Sequence, residues 1–280
     1  MEDVLLIAPA PAYEVFPKLM LWCGLVALLL CSIGFKKLVW FMSVGYGLAI
    51  MGIGILQFVF AIINKATVFT MINCLLLVVY GFRLGAYLYY RESRSSAYRK
   101  TLASATGDKK VPIFVLFFMW IYCAAMYMAQ TSALTYRITN GDHLNWAVVV
   151  GMIVTALGVV GEAISDKQKS AAKRQNPKRF CDVGLYRIVR CPNYFSEILV
   201  WTGVFITAFG SVVGKQWILV IIGYVLIVAV MISGAQRLEK RHEKNYGTDP
   251  EYIVYADTTP ILFPFIPLYH LNKIERNKNE

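Results

Sequence analysis

Residues 39–63 read VWFMSVGYGLAIMGIGILQFVFAII, a continuous stretch in which no side chain carries a charge. A helix needs about 20 predominantly apolar residues to cross the hydrocarbon core of a bilayer. A helix also satisfies its backbone hydrogen bonds internally, which every lipid-exposed segment must do. The stretch therefore predicts a transmembrane helix, and this sets the class of the chain.

The composition of the whole chain agrees with that prediction. Of its 280 residues, 58% are hydrophobic and 16% are charged, with a mean hydropathy of +0.54. Soluble domains have about 25% charged residues. Apolar runs predict seven spans, at about 19–35, 38–63, 66–90, 111–136, 143–165, 196–213 and 216–235. We therefore predict an all-α, polytopic membrane protein whose seven-helix bundle forms a single domain, residues 1–280.

The basic residues alternate between the two sides of these spans. The net charge is +11, which in a soluble protein would suggest nucleic acid. With seven spans, 23 Lys and Arg residues lie on one side and four on the other. The positive-inside rule then places the N-terminus outside and the C-terminus in the cytoplasm. The cytoplasmic segments 91–110, 166–193 and 236–280 suit contact with anionic lipid as well as with a bound anion. We expect no nucleic-acid partner.

The sequence lacks the common motifs of metal and nucleotide sites. The three histidines are scattered without an HExxH pattern, so no metal site is predicted. The glycines of residues 45–54 lie inside a span and do not follow a strand, which close helix packing explains better than a nucleotide loop. Any dinucleotide would have to bind without a Rossmann fold.

Ionisable residues at membrane depth are the main functional candidates, because they are costly there. Glu162 and Asp166 are four residues apart, on one helical face near the end of the fifth span. Tyr80 and Arg83 are three residues apart in the third span. Ion pairs at a solvated helix end, an interfacial tyrosine and an arginine reaching the surface are the structural alternatives.

A second stretch, GLYRIVRCPNYFSEILVW at residues 184–201, places cations directly before an apolar helix that contains a carboxylate. Pro192 suits the first turn of a helix, which puts Asn193 and Glu197 one turn apart on one face. Cations can bind phosphates, and carboxylate and amide oxygens can bind ribose hydroxyls or a carboxamide. The stretch therefore predicts a site for an amphoteric ligand, with a simple helix cap as the alternative.

This stretch resembles the signature of the steroid 5α-reductase superfamily, especially its bacterial branch. The pattern from Asp166 to Tyr186, the LEKR at 238–241 and the tyrosines before TPILFPFIP are similar too, so the resemblance covers roughly residues 80–265. It implies a seven-helix bundle that binds NADPH from the cytoplasm. It also implies reduction of a carbon–carbon double bond conjugated to a ketone in a steroid-like, lipophilic enone.

The resemblance also implies roles for single residues. Tyr80 is the catalytic residue, which hydrogen-bonds the substrate carbonyl. The implied NADPH contacts are Arg83, Arg94, Glu162, Asp166, Lys173, Arg179, Tyr186, Asn193, Tyr194, Glu197, Glu239 and Arg241. We expect a monomer in a bacterial inner membrane or the endoplasmic reticulum.

Two departures from the superfamily pattern bear on the carbonyl donor or the substrate and on one motif residue, and two other functions stay open. Steroid-reducing members carry a Gln-Glu pair on the second helix, where this chain offers only Ser43, Tyr46 and Gln57. Cys191 replaces the usual motif histidine, and this counts against an S-adenosylmethionine-dependent membrane methyltransferase with an R-H-P-x-Y element. A transporter or scaffold is the third possibility, although its ionisable residues would be expected at the membrane midplane.

Overall fold

The computed structural model describes residues 14–94 and 111–273, and all regular structure within these ranges is helical. We number the α-helices in chain order. They are α1 Lys18–Cys31, α2 Val44–Ile63, α3 Val68–Arg94, α4 Ile113–Gln130, α5 Ser132–Thr139, α6 Trp146–Gln175, α7 Pro192–Ile206, α8 Gln216–Tyr246 and α9 Pro250–Thr258. Short 3₁₀ helices lie at Ser32–Phe35, Leu38–Met42 and Gly184–Arg187.

Within the described ranges, six segments are long and apolar enough to cross a membrane. They are Lys18–Phe35, Leu38–Ile63, Val68–Arg94, Ile113–Gln130, Trp146–Gln175 and Gln216–Tyr246. The predicted sixth span corresponds to α7, which has 15 residues. An all-helical, membrane-spanning fold is thus confirmed, whereas the count of seven spans and their orientation stay predictions.

Several helix ends differ from the predicted spans, three of them near the residues discussed below. The span predicted at 111–136 ends as α4 at Gln130, where the Thr131 hydroxyl bonds back to the carbonyls of Tyr127 and Met128 at 2.9 and 3.1 Å. Helices α6 and α8 instead continue about 10 residues past their apolar parts. The polar segment predicted to start at 166 therefore begins as helix and becomes a loop only after Gln175. Residues 95–110 of the segment 91–110, and 274–280 of the tail, lie outside the described residues.

Two pairs of helices approach closely because glycines line their contacts. A Cβ atom on Gly81 of α3 would lie 2.5 Å from the Gly47 carbonyl of α2, and one on Gly158 of α6 would lie 2.5 Å from the Val200 amide of α7. Gly47 belongs to the glycine-rich stretch for which we predicted close packing. These two pairs set the positions of the site residues described below.

The C-terminal segment folds back over the start of α7. The amides of Arg190 and Cys191 donate to the carbonyls of Pro260 and Ile261 at 2.8 and 2.9 Å. We call the end of the bundle formed by residues 83–94, 162–193 and 235–273 the polar end. The C-terminal segment covers part of it.

Candidate functional site

Two tyrosines and a glutamate form a buried cluster inside the bundle. The Tyr80 hydroxyl donates to Glu197 Oε1 at 2.8 Å, and the Tyr46 hydroxyl donates to the same oxygen at 3.0 Å. The two hydroxyl oxygens are 3.0 Å apart. Trp201 donates its indole N–H to the Tyr46 hydroxyl at 2.9 Å. We call Tyr46, Tyr80, Glu197 and Trp201 the tyrosine–glutamate cluster.

Helix geometry explains why these four side chains meet. Glu197 and Trp201 are four residues apart on α7 and so lie on one face. Tyr46 and Tyr80 each precede a glycine of the close contact between α2 and α3, which brings their helices together. The Tyr127 ring of α4 lies 5.0 Å from the Tyr46 ring and closes the cluster on a further side.

The cluster places two hydroxyl donors where no bulk water is near. A buried carboxylate is stabilised by donated hydrogen bonds, and here they come from neutral phenols instead of a cation. Both hydroxyls could transfer their hydrogen bonds to a carbonyl oxygen brought close to them. The arrangement can therefore stabilise negative charge that develops on a ligand oxygen.

Arg83 binds the two acidic residues that the sequence paired on one helical face. Its Nη2 lies 2.6 Å from Glu162 Oε2, and its Nη1 donates to Asp166 Oδ2 at 3.0 Å. Glu162 is almost fully buried, so the ion pair offsets the cost of removing its charge from water. Three predicted cofactor contacts thus lie together, one helical turn from Tyr80.

Three other predicted residues lie around the start of α7. Asn193 Oδ1 and the Tyr186 hydroxyl are buried and have no hydrogen-bond partner among the described residues. Burial raises the pKa of Tyr186 well above its ordinary value, so the phenol is a neutral donor. The Tyr194 ring packs over Gly234, where an added Cβ would lie 3.1 Å from it. An unpartnered buried polar atom costs about 1–3 kcal/mol unless a ligand or water satisfies it.

Two of the cations predicted to contact NADPH already have protein partners. Lys173 donates to the carbonyls of Pro177 and Arg179 at 3.2 and 2.5 Å and to the Tyr246 hydroxyl at 2.8 Å. Arg179 pairs with Asp182 at 2.8 Å and with Glu251. These contacts fix the loop that follows α6 against α8 and α9.

The remaining predicted residues differ in their burial and in the contacts that they make within the protein. Glu239 is buried and accepts hydrogen bonds from Arg190, His270 and the segment 271–272. It therefore anchors the C-terminal segment. Arg94 lies exposed, 5.4 Å from the ring of Tyr90. Arg241 is exposed and forms no hydrogen bond or ion pair with the described part of the chain.

Sequence reasoning did not assign a role to Tyr46, Trp201 or Lys169. Lys169 lies one turn before Lys173 and has neither a hydrogen bond nor an ion pair within the described ranges. It is close enough to Arg241, Arg91 and Asp166 for their charges to interact. It also lies near Cys191: burial raises the pKa of that thiol to about 12, while the charges of Lys169 and Arg190 act in the opposite direction. The i, i+3 spacing from Asp166 was the available signal for Lys169.

Comparison with known proteins assigns the chain to a family. The family model described as "Protein of unknown function (DUF1295)" matches residues 29–259. The chain belongs to the DUF1295 family. Steroid 5-alpha-reductase DET2 of Arabidopsis thaliana is 32% identical over 66 residues, which are 23% of this chain and 25% of that protein. No solved structure gives a significant match.

The DUF1295 chain thus aligns with about a quarter of the length of that reductase. The two matches together support a steroid 5α-reductase-like superfamily and distant similarity to an oxidoreductase. Assignment to the bacterial branch stays a prediction, as do the roles of the individual site residues.

Proposed function

We propose that this DUF1295 protein is a membrane reductase that uses NADPH to reduce a carbon–carbon double bond conjugated to a ketone in a steroid or similar lipophilic enone. The observation that carries the proposal is the tyrosine–glutamate cluster, in which two phenol hydroxyls converge within an apolar bundle. The partial similarity to a steroid 5-alpha-reductase supports the same reaction class.

The residues at the polar end fit a phosphorylated dinucleotide. Lys169 and Arg241 form no hydrogen bond or ion pair with the described residues, so they are open to a ligand and we assign them to the phosphates. Asn193 has a buried oxygen that needs a donor, and a carboxamide N–H would satisfy it. Lys173 and Arg179 are already bound by protein groups, and in this proposal they shape the loop.

The protein's own contribution is to stabilise charge and exclude water. NADPH, when bound, supplies the hydride that adds to the β-carbon of the enone. Negative charge then develops on the carbonyl oxygen, and the hydroxyls of Tyr80 and Tyr46 donate to it. One proton at the α-carbon completes the reduction, and the ketone is regenerated. This chain lacks the Gln-Glu pair of the steroid-reducing members, and in this proposal Tyr46 provides the second hydrogen-bond donor to the carbonyl oxygen.

The membrane arrangement belongs to the same proposal. Helix α7 acts as the seventh span, the N-terminus lies outside, and the polar end faces the cytoplasm, where NADPH is found. The strong excess of Lys and Arg on one side of the predicted spans supports this orientation. The lipophilic substrate enters from the bilayer, and a single chain forms the whole site.

Substitution of Tyr80 tests the proposed reaction. Purified protein in detergent micelles should oxidise NADPH only when an enone is present, with one molecule of saturated ketone formed for each NADPH consumed. Tyr80→Phe should bind NADPH normally but lose about 10²–10³-fold in kcat, because it removes one donor to the developing oxyanion. An unchanged kcat in Tyr80→Phe would exclude its catalytic role, and no turnover with any enone would reject the proposed function.

A further inference from the structure

A second group of buried polar side chains lies deeper in the bundle, away from the polar end. Gln57 Oε1, Asn73 Oδ1, both amide atoms of Gln130 and Ser132 Oγ have no hydrogen-bond partner among the residues the structure describes. All four side chains are at least 95% buried. We call Gln57, Asn73, Gln130 and Ser132 the inner polar layer.

Helix contacts bring this layer to one level of the bundle. Gln57 of α2 donates to the Thr131 carbonyl at 3.0 Å, and Thr131 separates Gln130 from Ser132. An added Cβ on Gly54, one turn before Gln57, would lie 3.1 Å from the Cys74 carbonyl. Asn73 therefore lies within about one turn of Gln57 across the contact between α2 and α3.

The chemistry of the unpartnered atoms indicates what they would bind. The Gln57 amide donates to Thr131 and to the Thr135 hydroxyl, so its free atom is the carbonyl oxygen. Asn73 donates to the Phe69 carbonyl at 3.3 Å, so its free atom is again the carbonyl oxygen. Gln130 offers both a donor and an acceptor. A hydroxyl group, which can donate and accept at once, matches this set.

An apolar layer separates the inner polar layer from the tyrosine–glutamate cluster. Ile50, Ile53 and Leu77 lie between the two and are fully buried. The helical rise puts Asn73 about 10 Å from Tyr80 along α3, and Gln57 about 16 Å from Tyr46 along α2. The interior is therefore polar at two levels and apolar between them, as a long lipophilic molecule with polar groups at both ends would require.

The far end of the bundle is closed beyond the inner polar layer. Arg137 Nε lies 2.6 Å from Asp142 Oδ1, and Arg137 Nη1 donates to the Thr207 carbonyl and the Ser211 hydroxyl at 2.8 and 2.7 Å. Asp142 also accepts from the amide and hydroxyl of Thr67 at 2.6 and 2.7 Å. This network of an ion pair and hydrogen bonds fills the end of the bundle beyond the inner polar layer.

We infer that the inner polar layer binds a hydroxyl group at the far end of the substrate, so that the protein selects rigid lipophilic enones with a second polar group. This inference rests on the proposed function for the position of the reacting carbonyl. It adds that the distal hydroxyl raises affinity, because without it the buried amide oxygens of the protein stay unpaired.

Two matched substrates test the inference: a 3-oxo-Δ4-steroid with a hydroxyl on its far ring, and the analogue without that hydroxyl. The wild-type protein should prefer the hydroxylated steroid by at least about tenfold in KM, with similar kcat. Asn73→Leu should remove most of this preference and leave kcat for the deoxy analogue unchanged. Equal KM values in the wild type, as expected if the layer holds only buried water, would overturn the inference.

A set of controls separates this result from misfolding and from failure of the proposed function. Asn73→Leu should change the ligand-free Tm little, because the oxygen it removes has no partner among the described residues and its amide makes one long hydrogen bond, 3.3 Å, to the Phe69 carbonyl of its own helix. Gln57→Met serves as a second variant, and Thr155→Val, on α6, as a buried polar control that keeps the preference. If no enone is reduced but the hydroxylated steroid raises Tm more than the deoxy analogue, the binding inference stands and the reductase proposal fails. Retention of the full preference by both layer variants would refute the inference.

Discussion

Tyr46 has a single hydroxyl group that takes part in three hydrogen-bond contacts. It accepts from Trp201, donates to Glu197 and lies 3.0 Å from the Tyr80 hydroxyl. The Trp201 bond fixes the direction of the Tyr46 proton, because the indole occupies one acceptor position and leaves the O–H to point at Glu197. To donate to a ligand oxygen, the Tyr46 O–H has to turn away from Glu197, and it can do so while it still accepts the bond from Trp201.

Replacement of Tyr46 tests the two-donor arrangement. Tyr46→Phe should lower kcat by about tenfold or more and leave NADPH affinity unchanged, because it removes a donor to the substrate oxygen and none of the residues assigned to the phosphates or the carboxamide. Tyr122→Phe on α4 is the matched control, since the Tyr122 ring stacks on Phe118 with 6.2 Å between centroids and does not belong to the cluster. Steady-state kinetics with one enone would measure both effects, and equal kcat values for the two variants would show that Tyr80 acts without Tyr46.

Lys169 and Lys173 lie one turn apart on α6 and allow a paired test of the phosphate site. Lys169→Gln should weaken NADPH binding by about tenfold or more, because it removes the cation that would form a charge-assisted hydrogen bond with a phosphate of NADPH. Lys173→Gln should mainly lower Tm, because its ammonium group holds three acceptors of the protein. Titration of NADPH into each variant measures the affinities. Wild-type affinity in Lys169→Gln would remove it from the site.

Some site residues could be found from the sequence, because an ionisable side chain in a membrane span costs free energy and is therefore rare there. Glu162, Glu197 and Arg83 are of this kind, and the structure brings Arg83 and Glu162 together as an ion pair. Tyr46 could not be found in this way, because a tyrosine in a span is common. Its significance depends on contacts with α3 and α7, which no local pattern encodes.

At the scale of elements, the close helix pairs α2–α3 and α6–α7 determine whether the site exists. Each pair contributes neighbouring site residues, and glycine is required where one backbone touches the other. The glycine pattern of residues 45–54 predicted close packing in advance, but the partner helix could be known only from the structure.

Two glycines of α3 provide a matched test of this packing. Gly81→Ala should lower Tm and abolish turnover, because the new Cβ would lie 2.5 Å from backbone atoms of Gly47 and Met51. Gly85→Ala should be tolerated, because its Cβ would meet its nearest neighbour at 3.7 Å. Thermal unfolding with and without NADPH would measure both. A stable, active Gly81→Ala protein would mean that α2 and α3 are not held this closely.

The helix boundaries illustrate where hydropathy stops being informative. It located the apolar parts of α6 and α8 because burial in lipid selects apolar residues. It could not locate their ends, since a helix that leaves the membrane continues as long as its backbone bonds are favourable. The additional turns carry Asp166, Lys169 and Lys173. Part of the segment predicted to be a loop is therefore helix, and it carries candidate site residues.

For the whole molecule, the two ends of the bundle differ in how completely their polar groups are satisfied. The far end is closed by the Arg137–Asp142 network. At the polar end, Asn193 and Tyr186 have buried atoms without a partner among the described residues, and Lys169 and Arg241 form no hydrogen bond or ion pair with that part of the chain. A ligand that is anionic at one end and offers amide groups at the other would satisfy this end of the molecule.

Thermal unfolding of the purified protein with NADPH, NADH or S-adenosylmethionine tests whether the polar end binds NADPH, and it needs no substrate. A ligand that binds only the native state at about 100 times its Kd stabilises it by about 2.7 kcal/mol. NADPH should raise Tm clearly, NADH should raise it less because it lacks the 2′-phosphate, and S-adenosylmethionine should leave it unchanged. If S-adenosylmethionine raised Tm and NADPH did not, the polar end would be a methyl-donor site and the assignment as a reductase would be wrong.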